Sequence, residues 1–207
     1  MTRVLVVDDQ RTVRQYLETI IDASQRYHLV AAIESAFMAE MYCVNHDVDL
    51  ILMDVYTAHR ESGLQAAQEI KEKYPHVKII IITSLPEHSF IKKAREIGCE
   101  SFWYKDTSDL SLLEVMDRTM ANESVYPLET PILQIGNAQS DEFTKRELEV
   151  LRHLVAGLTQ QEIGEQLFIS HSTVKYHINS ILSKSGYHNT VRLLIDVAEQ
   201  KFIIPDF

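Results

Sequence analysis

Short apolar runs that stop at a polar residue alternate with longer amphipathic stretches over residues 1–122. Val4-Leu5-Val6-Val7 ends in Asp8-Asp9, and a second run spans His28 to Ile33. A third runs from Val48 to Asp54, a fourth from Val77 to Thr83, and a fifth, Ser101 to Tyr104, meets Lys105. Runs this short and this apolar predict strands buried on both faces. Between them, Val13, Leu17, Ile20 and Ile21 recur at about one helical turn. Helices are also predicted over Ser35–Asn45, Gly63–Tyr74 (stopped by Pro75), Glu87–Gly98 and Ser108–Asn122.

Strictly alternating strands and helices imply a parallel sheet covered on both faces. Right-handed crossovers make it a doubly wound, flavodoxin-like (βα)5 α/β domain, with its site at the carboxyl ends of the strands. Residues 123–140 break the pattern with Pro127, Pro131, Gly136, Asn137 and Ser140, and read as a linker, partly docked. Residues 141–207 predict a second, smaller, all-α domain. Thr144 with Glu147, and Thr159 with Glu162, fit the capping box. Phe168-Ile169-Ser170 turns the chain into a third helix with Val174, Ile178, Ile181 and Leu182 facing inward and Gly186 as its stop. Asn189 or Thr190 opens a last helix.

Composition narrows the classes. At 207 residues, 45% hydrophobic and with a net charge of −10, the chain can bury a sizeable core and is not built to coat nucleic acid or anionic lipid along its length. No apolar stretch approaches the ~18–20 residues of a membrane span, and the first residues lack a signal-peptide layout, so a cytoplasmic protein is expected. Cys43 and Cys99 are far apart and read as free thiols.

The strand tips bring together Asp8, Asp9, Asp54, Thr83 with Ser84, and Lys105. Three carboxylates, a hydroxyl and an ammonium can bind a divalent cation and hold a phosphoryl group. The bland reading is an ion-pair cluster at a sheet edge, which has no need of a hydroxyl and a third carboxylate at matching strand ends.

These residues, in this order, resemble the receiver domain of two-component response regulators. Thr144-Lys145-Arg146-Glu147 and Ser172-Thr173-Val174-Lys175-Tyr176-His177 resemble the LuxR-type helix-turn-helix, and the combination is that of the NarL/FixJ class. The resemblance covers nearly the whole chain outside the linker. It implies no enzyme but a regulator that a sensor histidine kinase phosphorylates on Asp54, and that binds promoter double-stranded DNA as a homodimer. It implies Mg2+ held by Asp9, Asp54 and the main-chain carbonyl of Tyr56, with Asp8 acting through water. Lys105 and Thr83 would contact the phosphoryl oxygens, and Phe102 occupies the aromatic switch position. The fourth helix, fifth strand and fifth helix would form the face that shifts on phosphorylation.

The sequence departs from the family after Asp54: the loop Val55 to Gly63 has no proline and is one residue longer. Tyr56 there is large enough to shield a phosphoryl group from water. Asp106, not proline, follows Lys105, which argues for a trans bond.

In the second half, His171, Ser172, Thr173, Lys175, Tyr176, Asn179 and Lys184 are the candidate DNA contacts, with His177 a further backbone contact. Lys175 suits a base edge or phosphate, Asn179 an adenine, and Ser172 and Thr173 a phosphate at a helix start. From Asp141 onward seven Lys or Arg stand against nine Asp or Glu, a net of −2. Few neutralised phosphates mean weak binding by one copy, hence the expected dimer on two half-sites. Its surface would be the last helix, although Val191, Leu194, Ile195 and Val197 can also serve the domain's own core. Two rivals follow: a phosphorylation-independent regulator with the same DNA module, and a flavodoxin-like enzyme. The enzyme needs a Ser-, Thr- and Gly-rich loop after the first strand, where this chain has Gln10-Arg11-Thr12-Val13-Arg14.

Overall fold

The computed structural model describes residues 1–84, 87–105, 110–200 and 202. It divides into two compact units that meet in sequence between Glu129 and Thr130. The stretch expected as a linker is therefore shared between them.

In the first unit, β1 (Thr2–Val7), β2 (Tyr27–Ile33), β3 (Leu50–Asp54), β4 (Lys78–Thr83) and β5 (Ser101–Tyr104) form one parallel sheet in the order β2-β1-β3-β4-β5. The chain runs outward from β1 to β2, then returns past β1 to β3. That reversal opens a crevice at the carboxyl ends of β1 and β3. The central strands β1, β3 and β4 are apolar where both faces are covered: Val4 to Val7, Leu50 to Met53 and Ile79 to Ile82 are fully buried, whereas the edge strand β2 is mostly half-buried.

Helices α1 (Arg11–Asp22), α2 (Ala39–Asn45), α3 (Gly63–Lys73), α4 (His88–Ile97) and α5 (Leu112–Met120) alternate with the strands. Ser62 and Ser111 cap α3 and α5, each accepting from the backbone N–H three residues on. Two expected helices start late. The second was predicted from Ser35 but begins at Ala39, because Ser35 and Ala36 are bound to the loop after β3. The fifth begins at Leu112, behind its Ser111 cap. After α5 the chain returns along β5, where Phe102 N donates to Val125 O at 2.8 Å and Val125 N to Ser101 Oγ at 3.1 Å.

The second unit opens with a hairpin inside the stretch read as linker, β6 (Gln134–Ile135) and β7 (Ala138–Gln139). Gly136 turns it with φ 59°, and a Cβ there would lie 2.1 Å from Ser185 O, so only glycine fits. Ile135 and Ala138 are buried with Phe143, Leu151, Ile181, Leu193, Val197 and Phe202. Four helices follow: α6 (Lys145–Val155), α7 (Gln160–Leu167), α8 (His171–Ser185) and α9 (Thr190–Glu199). Both expected capping boxes form, on α6 and α7. Ser170 caps α8 and Asn189 caps α9.

Candidate functional sites

At the carboxyl edge of the sheet, Asp8 follows β1, Asp54 ends β3, Thr83 ends β4 and Lys105 follows β5. Asp8 and Thr83 are fully buried and Asp54 nearly so, while Asp9 is exposed. The Lys105 ammonium bridges two carboxylates, 2.5 Å from Asp8 Oδ2 and 2.8 Å from Asp54 Oδ2. Backbone donors hold the other two oxygens: Gln10 N donates to Asp8 Oδ1 at 2.9 Å and Val55 N to Asp54 Oδ1 at 2.8 Å. Arg14 Nη1 anchors the Asp8 carbonyl at 2.6 Å. Lys105 itself is fixed at its root, its N–H donating to Thr83 O at 2.9 Å.

Burial pushes the Asp54 carboxyl up to about 7, against the pull of the Lys105 ammonium, and the charge of Asp8 adds to the rise. Burial alone would push Lys105 down, but Asp54 and Asp8 outweigh it and hold its ammonium above the usual value. Oxygens of Asp8, Asp9 and Asp54 lie within 4.8 Å of one another. A set of three hard carboxylates, crowded and sharing a single ammonium, fits a divalent cation such as Mg2+.

The other predicted residues are placed as follows. Ser84 is exposed beside Thr83. Phe102 lies inward, fully buried, with its ring 5.0 Å from Tyr104 and 6.4 Å from Tyr126. Tyr56 sits on the loop after Asp54, its ring edge-on to Phe90 of α4 at 5.9 Å. The Lys105–Asp106 bond lies outside the described residues. Sequence reading missed Gly63, read only as a helix start. A Cβ on it would stand 1.7 Å from Asp54 O, so the loop can close on β3 only over a glycine. It also missed Tyr126, whose hydroxyl donates to Cys99 O at 2.7 Å beneath the Arg95 guanidinium, 4.4 Å from the ring centroid.

In the second unit, α7 and α8 form a helix-turn-helix around Phe168, which is left-handed (φ 54°) and 95% exposed. Arg146 of α6 secures the end of α7, donating to Leu167 O at 2.7 Å. Val174, Ile178 and Ile181 of α8 point inward, leaving His171, Ser172, Lys175, Tyr176 and Asn179 exposed on its outer face. Thr173 is half-buried, its hydroxyl 2.8 Å from Ser170 Oγ, and the His177 ring lies 5.6 Å from that of Tyr176. Lys184 stands apart from this surface: its ammonium is 2.7 Å from Glu147 Oε2 and donates to Glu142 O at 2.9 Å.

The response regulator receiver domain model matches residues 4–117, and the luxR-family model of bacterial regulatory proteins matches residues 141–197. The transcriptional regulatory protein YdfI of Bacillus subtilis (strain 168) is 31% identical, over 99% of this chain and 98% of its own. The response regulator protein VraR of Staphylococcus saprophyticus is 28% identical, over 97% and 98%. RcsB of Salmonella enterica serovar Typhimurium, solved bound to promoter P1flhDC in the presence of the phosphomimetic BeF3-, shares the fold. Its TM-score is 0.63 at 19% identity, covering 95% of this chain and 97% of that one. Both halves and their order run the length of these relatives, and the chain therefore belongs to the response regulators, with a LuxR-type DNA-binding domain following its receiver domain.

Proposed function

We propose that Asp54 is the phosphoacceptor of a two-component system, charged by a sensor histidine kinase, and that the modified protein binds promoter DNA as a homodimer to regulate transcription in the cytoplasm. The observation that carries this is the Lys105 ammonium shared by Asp8 and Asp54 at the sheet edge. A carboxylate that must attack phosphorus needs a counter-charge ready for the incoming oxygens, and Lys105 supplies it. In the transfer, an Asp54 oxygen forms a bond to phosphorus as the bond to the donor nitrogen breaks. Lys105 moves from the carboxylates to a phosphoryl oxygen, and Thr83 donates to another. Asp9, Asp54 and the Tyr56 carbonyl, with Asp8 through water, would hold Mg2+, which would supply positive charge between the carboxylates and the phosphoryl group.

The outer face of α8 suits the major groove, with Lys175, Tyr176 and Asn179 toward bases and His171, Ser172 and Thr173 toward phosphate. Lys184 keeps a DNA role only by leaving Glu147. The switch runs from Thr83 through the ring of Phe102 to the α4–β5–α5 face. It works only as far as the phosphoryl group binds one arrangement better than the other.

Incubating the full chain with a small-molecule phosphoryl donor and Mg2+ tests this reading. One phosphoryl group per chain, lost in Asp54→Ala, together with tighter promoter binding, is the expected result. Promoter binding with no Asp54-dependent mass gain instead establishes phosphorylation-independent regulation, the reading favoured by the unusual loop after Asp54. Tyr56 beside the acceptor is assigned to shielding the phosphoryl group, so Tyr56→Asn should shorten its half-life; an unchanged half-life removes that role.

A further inference from the structure

The loop between Asp54 and Gly63 lacks the proline that would stiffen it, yet it carries the carbonyl of Tyr56. At its base the loop is a short antiparallel pair: Gly63 N donates to Val55 O at 2.8 Å and Thr57 N to Glu61 O at 3.1 Å, with Tyr56 opposite Ser62. Its tip is a single tight turn in which Glu61 N donates to Ala58 O at 3.2 Å and His59 takes φ 59°, a conformation that costs a side-chain-bearing residue some free energy. A loop of this length, left to itself, samples many arrangements, and something must select one.

The selection comes from the β2–α2 connection. Ser35 Oγ donates to Glu61 Oε2 at 2.7 Å, Phe37 N at 3.3 Å and Thr57 Oγ1 at 3.4 Å. Three donors therefore converge on one carboxylate oxygen. Thr57 Oγ1 in turn accepts from Ala36 N at 3.0 Å, and Ala58 N donates to Glu34 O at 2.9 Å. Thr57 is buried, so its hydroxyl depends on these partners. Partial burial pushes the Glu61 carboxyl up, but the bonds from Ser35, Phe37 and Thr57 outweigh it, and the group stays ionised below its usual range. Among the described residues, the carboxylates close enough to share a cation are Asp8, Asp9 and Asp54, without Glu61.

We propose that Glu61 is a positioning residue for the metal-binding carbonyl of Tyr56, acting through Thr57, in place of the stiff loop found in the family. The proposal rests on the reading of Asp8, Asp9 and Asp54 as a Mg2+ site. Mg2+ requires near-octahedral geometry and tolerates little displacement of a ligand, and losing an outer partner of a ligand typically weakens a metal site by ~10–100-fold.

The test is Mg2+ titration of the metal-free full-length protein by calorimetry, with thermal unfolding recorded for every variant. Glu61→Ala should bind Mg2+ about tenfold more weakly or worse. Glu61→Gln should restore most of the affinity, because its amide oxygen can accept at the Oε2 position. Thr57→Val keeps the buried shape and removes the hydroxyl, so it should weaken binding without loss of folding; it decides the matter if Glu61→Ala does not fold. Affinity within about twofold of wild type in Thr57→Val or in Glu61→Ala overturns the proposal, as does Glu61→Gln binding as weakly as Glu61→Ala. Asp9→Asn separates the two levels. If it binds Mg2+ like the wild type, or if the wild type binds none, the metal reading of the pocket fails and takes the proposal with it.

Discussion

The Lys184 ammonium lies 2.7 Å from the Glu147 carboxylate, joining the end of α8 to the start of α6. Glu147 also closes the α6 capping box, accepting from Thr144 N at 2.7 Å, and accepts from Ser180 Oγ at 2.6 Å. Its side chain is only 4% exposed. Burial pushes the carboxyl up, but the bonds from Lys184, Ser180 and Thr144 prevail and hold it at about 2, down from 4.5. A carboxyl depressed on folding stabilises fully above its unfolded value, and that contribution fades as pH falls toward the folded one. The urea midpoint of the second unit should therefore drop between about pH 4.5 and 2, and Glu147→Gln should flatten that drop. At neutral pH the substitution should cost ~1–3 kcal/mol, checked by denaturant unfolding.

Removing the Lys105 ammonium leaves Asp8 and Asp54 side by side without a cation. Breaking a buried ion pair from one side costs ~3–5 kcal/mol. Lys105→Met should unfold at a lower temperature than wild type in EDTA. Mg2+ should raise the variant's midpoint more than the wild type's, because the added cation replaces the missing charge. Differential scanning calorimetry with and without Mg2+ decides this, and equal shifts in the two proteins would refute it.

Gly63→Ala sets a methyl group 1.7 Å from the Asp54 carbonyl oxygen. The neighbour is backbone at the end of β3 and cannot rotate away. The loop and strand must separate, at ~3 kcal/mol or more, above ordinary overpacking. The measurement is the unfolding midpoint, and a change below ~1 kcal/mol would show that the loop closes without this contact.

On α9, Leu193 and Val197 are fully buried, whereas Val191 and Ile195 are 66% and 51% exposed. The sequence left Val191, Leu194, Ile195 and Val197 undivided between core and surface; the structure buries Val197, half-buries Leu194 and exposes Val191 and Ile195. If the outward pair joins two copies on DNA, Val191→Asp with Ile195→Asp should weaken promoter binding by ~10-fold or more and leave the thermal midpoint within a few degrees of wild type. Leu193→Asp should unfold the domain. Gel-shift and calorimetric measurements on the full chain distinguish the two effects.

The central strands of the first unit were legible because both of their faces are buried, so Ile79-Ile80-Ile81-Ile82 carries no competing pattern. The strand tips were legible for the same reason, since a charge ending such a run has left the core. The start of α2 was not, because Ser35 and Ala36 take their partners from Glu61 and Thr57, 26 and 21 positions later. Nothing local marks so distant a pairing. Lys184 read as a contact to the DNA backbone, and only the packing of α6 against α8 reveals Glu147 beside it. The β6–β7 hairpin did leave a signal, Ile135 and Ala138 flanking Gly136-Asn137, but one so short reads equally as a loop.

The passage of Val125 along β5 has a consequence for how copies of this protein meet. An outermost strand with open N–H and C=O groups is a template for any other extended chain. Here the Phe102 N–H is already taken by Val125 O, and the Ser101 hydroxyl by Val125 N. At Phe102 the protein covers that margin with its own backbone. A second extended chain arriving there finds this ladder position occupied, which disfavours strand-on-strand growth at that point.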